Sequence, residues 1–152
     1  MLKSGEPDDV DRQIVALLRE NARRSFQDIG GRVGLSAPAV KRRVDRLEAE
    51  GVIRGYAAIV DPASYGWPTQ ALVQLHTEGR FGPEQVLRAV RDHPEVSAAY
   101  TLAGTASAVL LVRTADTKHL EELLERLLDT KAVTRTQTSV ILSTLLERPF
   151  GG

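Results

Sequence analysis

The run from Ser25 to Tyr56, SFQDIGGRVGLSAPAVKRRVDRLEAEGVIRGY, constrains this chain more than any other part of it. Phe26, Ile29 and Val33 recur at helical spacing until Gly34 stops them. Ser36 then stands as the N-cap of a second helix, with Val40, Val44 and Leu47 as its buried stripe and Gly51 as its stop. Two short helices across a tight Gly34-Leu35-Ser36 turn, the second studded with cations, are the sequence form of a helix-turn-helix. Such a unit lays its second helix in the major groove of DNA.

At about 100° per residue, the direction opposite the stripe is taken by Pro38, Arg42 and Arg46, flanked by Ala39 and Asp45. Lys41 and Arg43 sit on the rims. Arg42 and Pro38, facing out near the helix start, are the candidates for base edges. Lys41, Arg43 and Arg46 are expected at phosphates, and Ser36 offers both a cap and a phosphate contact. Arg43 has a structural alternative, since it lies close to the stripe and could pair with Asp28 or Glu48. In the helix before, Ser25-x-x-Asp28 resembles a capping box with Asp in place of Glu. Gly30-Gly31 costs about 1 kcal/mol per glycine against alanine, which predicts a compensating close approach to a neighbouring helix.

Elsewhere in the first half, Val10, Ile14, Leu17 and Leu18 predict a helix from about Val10 to Asn21, capped by Asp8 or Asp9. Val52-Ile53 and Ala57–Val60 read as a short strand that Asp61-Pro62 breaks, and Ala63–Pro68 as a hinge. The second half repeats itself. Ala71–Leu75, a helix Pro83–Asp92 and Val96–Tyr100 are followed by Ala108–Val112, a helix Thr117–Leu128 and Val133–Ile141. An offset of 37 residues lays Val73 on Leu110, Val86 on Leu123, Leu87 on Leu124, Val90 on Leu127 and Val96 on Val133. The order βαββαβ is that of a ferredoxin-like sandwich with both helices on one sheet face. The expected class is α+β: a winged helix-turn-helix over residues 1–61, a linker 62–68, and the sandwich over 69–152. Apolar residues on both faces of the strands call for a cover on the open face, most simply a second subunit.

Net charge is zero over 152 residues, yet the basic residues are not spread evenly. From Arg19 to Arg46 there are eight cations and three acids, a local excess of five. A basic face on a neutral chain is the footprint of a nucleic-acid module joined to something non-basic. The absence of cysteine excludes disulfides, thiol catalysis and Cys-ligated zinc. No apolar run reaches the roughly 20 residues of a membrane span, and Met1-Leu2-Lys3-Ser4 opens no signal peptide, so a cytoplasmic protein is expected. His76, His93 and His119 have no ligand spacing, and exposed or capping roles are expected for them rather than metal binding. No catalytic residue and no cofactor is expected. Trp67, beside Pro68, reads as hinge packing.

These residues resemble the Lrp/AsnC (feast/famine) family of bacterial transcription regulators. The matching motifs are Asp8-x-x-Asp11 at the head of the first helix, the Gly34-Leu35-Ser36 turn, Val40-x-x-Arg43-Val44-x-x-Leu47, Gly51-Val52-Ile53-x-Gly55-Tyr56 and Asp61-Pro62-x-x-x-Gly66. Pro94-Glu95-Val96, Tyr100-x-x-x-Gly104 and Val133-x-x-x-x-Thr138 follow in the family's order. The resemblance implies a DNA-binding regulator that dimerises, assembles to tetramers or octamers, and holds a small-molecule effector. The residues it puts at the effector are Tyr100, Leu102, Gly104, Thr105, Ala106, Ser107, Thr134, Thr136 and Thr138. One position departs from the family pattern: Ser107 stands where the family commonly has an Asp, and a hydroxyl cannot supply the charge that a ligand ammonium seeks. Read from the residues alone, Thr134, Thr136 and Thr138 are first of all ordinary strand residues, and Gly104 serves a tight turn.

Two rival readings exist. Some relatives of this fold are tetrapyrrole decarboxylases that use His and Arg in the sheet cavity, and His76 and Arg113 are the residues this chain has to offer. The other rival is a plain small-molecule-binding subunit. The intact recognition helix argues against both.

Overall fold

A computed structural model describes residues 6–78, 82–130 and 132–147. The chain divides into two compact units, residues 1–58 and 59–152. Among the described residues no helix is long and apolar enough to cross a membrane.

The first unit is three helices around one small core. Helix α1 spans Asp9–Glu20 and starts in a full capping box: the Asp8 carboxylate accepts the Asp11 amide, and the Asp11 carboxylate accepts the Asp8 amide. Helix α2, Phe26–Val33, has Ser25 as its cap. Only half of the expected box forms there, because the Asp28 carboxylate pairs with Arg24 and Arg32 instead. Helix α3 spans Ala37–Ala49, with Ser36 at the N-cap position but without a side-chain cap bond. Ile14, Leu18, Ile29, Val40 and Val44 form the core, with Val10, Leu17, Phe26, Val33 and Ile53 packed on it.

The strand expected at Val52–Val60 is not formed, and with it the wing is missing. The amides of Val52 and Ile53 both bond to the Leu47 carbonyl, closing the end of α3 past Gly51, which has φ 72°. Tyr56 donates its hydroxyl to Glu48 at 2.8 Å. Burial, and then the Glu48 carboxylate, push that phenol up to about 12. Residues 54–60 run on with no strand partner, so nothing turns their apolar pattern into a ladder.

The second unit opens with a short 3₁₀ turn, Pro62–Tyr65, and continues as the βαββαβ order that the repeat predicts. The strands are β1 Thr69–His76, β2 Val96–Thr101, β3 Ala108–Thr114 and β4 Arg135–Ile141, in sheet order β2-β3-β1-β4 and all antiparallel. The helices are α4 Pro83–Val90 and α5 Thr117–Leu128. Ala71, Val73 and Leu75 of β1 and Ala108, Leu110 and Val112 of β3 alternate inward to meet Val86, Val90, Leu120, Leu123 and Leu127 from the helices. The repeat is imperfect at one pair: Leu124 packs on this core, but its counterpart Leu87 is exposed. The other sheet face carries no helix: Ser143–Glu147 border its Gln70–Leu111–Ile141 end, where Glu147 pairs with Arg113 at 3.7 Å, and Leu72 and Tyr100 on it are 41% and 60% exposed.

A polar knot closes one edge of this core. Glu95, buried, accepts from Arg126 and is paired with His119 Nε2 at 3.0 Å. The Ala115 amide donates to His119 Nδ1, which leaves the Nε2 proton for Glu95. Burial alone would raise the Glu95 carboxyl; its own backbone amide, His119 and Arg126 outweigh that and hold it below the ordinary range. Trp67 meets the His119 ring edge-on at 6.1 Å, so its packing role includes a specific partner.

Candidate functional site

The turn before α3 is fixed by two glycines with different reasons. Gly34 has φ 71°, the left-handed region that favours glycine. Gly30 is needed for space: a Cβ there would lie 2.3 Å from the Leu35 carbonyl oxygen, and the Leu35 amide bonds to the Gly30 carbonyl at 2.9 Å. The close approach expected of Gly30-Gly31 is thus to the turn's own backbone rather than to another helix. Gly31 has open space around it. Together these bonds set the entry of α3 relative to α2.

On α3 the residues read as base-facing are where the pattern puts them. Pro38, Lys41 and Arg42 are exposed, as is Ser36 at the cap, and Ala39 is half-buried. Lys41 pairs with Asp45 at 2.5 Å on the open surface. Arg42 has no ion-pair partner among the described residues, so its guanidinium is available to a ligand.

Arg43 and Arg46 behave otherwise. Both guanidinium groups turn toward α1, where Arg43 meets Asp8 at 2.7 Å and Asp11 at 2.8 Å, and Arg46 meets Asp11 at 2.5 Å. The partners foreseen for Arg43, Asp28 and Glu48, are both engaged elsewhere. Asp11 is 0% exposed. Desolvation pushes its carboxyl up, but the hydrogen bonds from Arg43, Arg46 and the Asp8 amide win and hold it at about 2. Breaking such a pair from one side costs about 2–3 kcal/mol, less than for a fully buried pair because both guanidinium groups are partly solvated. Sequence reasoning gave Asp11 only a place at the head of a helix. The signal for more was present: Asp11, Ile14 and Leu18 fall at i, i+3 and i+7, so a charge sits on the buried stripe.

In the second unit the residues implied for the effector separate into groups. Leu102, Gly104 and Thr105 are exposed in the β2–β3 connection, and Ala106 is buried. Gly104 lies in the expected bend, but its φ is not left-handed and a Cβ there would meet nothing within 4 Å. The tight-turn explanation for it therefore fails. Ser107 donates its amide to the Leu75 carbonyl at 2.8 Å, and its hydroxyl lies 2.7 Å from that of Thr77. Thr134 bonds to the His76 carbonyl through both its amide and its hydroxyl, which brings it to the same end of β1 as Ser107. Thr136 and Thr138 stand opposite Leu75 and Val73, on the helix-covered face, whereas Tyr100 stands opposite Val109 on the open face. Within one chain, Tyr100 and the two threonines do not converge.

The residues offered for an enzymatic reading are far apart. Arg113 pairs in register with Gln70, while His76 lies six residues along β1. At roughly 3.3 Å per residue that separates them by about 20 Å. Among the described residues no group of His, Asp or Glu could hold a metal ion.

Comparison with known proteins agrees with this division. Residues 8–48 match the AsnC-type helix-turn-helix domain, and residues 70–149 match the Lrp/AsnC ligand binding domain. The HTH-type transcriptional regulator Rv2324 of Mycobacterium tuberculosis is 47% identical over 93% of this chain and 95% of its own length. The feast or famine regulatory protein Rv3291c of M. tuberculosis, solved in complex with L-methionine, superposes with a TM-score of 0.87 at 37% identity, covering 93% of this chain and 96% of that one. The transcriptional regulator NMB0573 of Neisseria meningitidis, also solved with L-methionine, gives 0.84 at 28% identity over 93% of each chain. With both halves matched and relatives this similar over nearly their whole length, the chain belongs to the Lrp/AsnC family of transcriptional regulators.

Proposed function

We propose that the protein regulates transcription from the cytoplasm by binding pseudo-palindromic duplex DNA with α3, and that it has no catalytic role. The observation that carries this is Arg42: exposed, without an ion-pair partner among the described residues, and on the outer face of a helix whose entry the Gly30–Leu35 turn fixes. Arg42 and Pro38 meet base edges, with Ala39 beside them; Lys41 and Ser36 hold phosphates. The named regulators among its relatives support the same reading.

One recognition helix covers only a few base pairs, so useful specificity requires two, about 34–36 Å apart. The helix-free sheet face, with Leu72, Leu111 and Tyr100, supplies the dimer contact, and further assembly to tetramers or octamers follows the family. Leu72→Glu in the full chain places a charge in that contact and should leave a monomer by light scattering. Retention of the wild-type mass would move the interface elsewhere.

The effector site lies at the β2–β3 connection and the β1 end, from Leu102 to Ser107 with Thr134. Thr136, opposite Leu75, stands at the same end of β1, with Thr138 two residues along the same face, whereas Tyr100 lies on the open face and would meet the ligand from another copy. The relatives solved with L-methionine support an amino acid or similar metabolite as the class. In this chain the connection carries no acid, so an effector without an ammonium group fits better. DNA binding is tested by genome-wide occupancy of the wild type against Arg42→Ala, the variant losing about 1–3 kcal/mol on specific sites. Equal occupancy would remove α3 from the reading.

A further inference from the structure

Three of the four cations on α3 already have carboxylate partners, Arg46 having Glu50 at 3.8 Å on its own helix besides Asp11, and the pairings are not alike. Lys41 and Asp45 are both more than half exposed on one helix, so a phosphate can displace Asp45 at little cost. Arg43 and Arg46 instead reach across to α1 and share the two oxygens of Asp11, which is fully buried. Asp8, on the rim, takes a second bond from Arg43, and its own amide bonds to Asp11. A phosphate that drew either arginine away would leave part of a buried carboxylate unpaired, and Asp11 cannot follow its partners into water.

We infer, resting on the reading of α3 as the DNA-contacting helix, that Asp11 is a positioning residue which docks α3 onto α1 and withholds the charges of Arg43 and Arg46 from DNA phosphates. The phosphate contacts expected of those two arginines are then not made. Arg42 and Lys41 remain as the binding charges of the helix. Each cation that neutralises a phosphate steepens the salt dependence of binding by about 0.9 unit on a log–log scale, whatever the sequence. Holding back two cations per subunit therefore lowers affinity for all DNA alike and leaves the contribution of Arg42 to sequence preference intact.

The test uses the full chain and a labelled random-sequence duplex of about 30 base pairs, titrated by anisotropy from about 50 to 300 mM salt. Asp11→Asn, checked for folding by circular dichroism, should steepen the slope by about one to two units per subunit and tighten binding at low salt. Arg43→Gln in the otherwise native chain should leave the slope unchanged, and in the Asp11→Asn background should take back about one unit. A role in stability alone would move the melting curve without moving the slope. If Asp11→Asn folds and keeps the native slope, or if Arg43→Gln alone shallows it by about one unit, the inference is wrong. Should Asp11→Asn fail to fold, the Arg43→Gln result decides by itself. Lys41→Ala, which should shallow the slope by about one unit in either background, reports on the DNA reading separately. If it has no effect, that reading falls and this inference with it.

Discussion

The hydroxyls of Thr77 and Ser107 lie 2.7 Å apart, so the side chain at the usual acid position of the β2–β3 connection is engaged with the end of β1. Its backbone is held as well, through the Leu75 carbonyl. The loop is anchored at Ser107, and what it presents to a ligand there is a partly satisfied hydroxyl rather than a charge.

The ligand preference follows from that pair. Loss of a charged partner for an ammonium is worth about 1.5–3 kcal/mol, or one to two decades of affinity. Calorimetry against the twenty amino acids should find weak binding or none, and Ser107→Asp should create or strengthen it. Low-micromolar binding of any amino acid to the native protein would refute this.

Gly30 and Gly31 should respond to alanine in opposite senses. Gly30→Ala drives a methyl group to 2.3 Å from the Leu35 carbonyl oxygen, and the fixed turn must shift, at a cost of about 1–3 kcal/mol or more. Gly31→Ala meets nothing and gains helix propensity, so it should stabilise by up to about 1 kcal/mol. Urea melts of the two variants measure the contrast, and equal effects would contradict the assigned geometry.

Acid should weaken the first unit through Asp11. Its carboxyl titrates at about 2 in the folded chain against 3.8 for the ordinary group. A depressed value stabilises the fold fully above about pH 5, and that stability drains away as pH falls through 3.8 toward 2. The amount is of the order of 2 kcal/mol. Urea unfolding from pH 6 down to about 2.5 should show a fall that Asp11→Asn flattens; parallel curves for the two proteins would show that Asp11 contributes nothing.

Trp67 is the only tryptophan in the chain, and it rests edge-on against His119, whose ring is held by Glu95. Glu95→Ala should destabilise by about 2–3 kcal/mol, less than a fully buried pair because Arg126 is partly solvated. It should also shift Trp67 emission, since the ring beneath it loses its anchor. An unchanged spectrum would mean that His119 keeps its place without the carboxylate.

Much of this molecule is legible in the residues alone because its determinants are local. Helix α5 begins and ends where the sequence pattern predicts, Thr117–Leu128, since its cap and its apolar stripe are both encoded within a dozen residues. The βαββαβ order and the outward position of Arg42 follow likewise from spacing. The strand expected at Val52–Val60 has the right composition and still does not form, because a strand exists only with a partner edge. Gly104, too, looks like a turn glycine in sequence, yet its backbone is ordinary.

What only the tertiary structure decided is where the charges go. Arg42, Arg43 and Arg46 are indistinguishable as residue types, and their helical angles set only a direction. Whether each guanidinium is left open or is taken up by protein depends on Asp8 and Asp11, more than thirty positions earlier and brought beside α3 by the packing of α1. Periodicity reads one helix at a time. A carboxylate buried between two helices belongs to neither pattern, and its pull on both arginines arises only once the core around Ile14 and Val40 has closed.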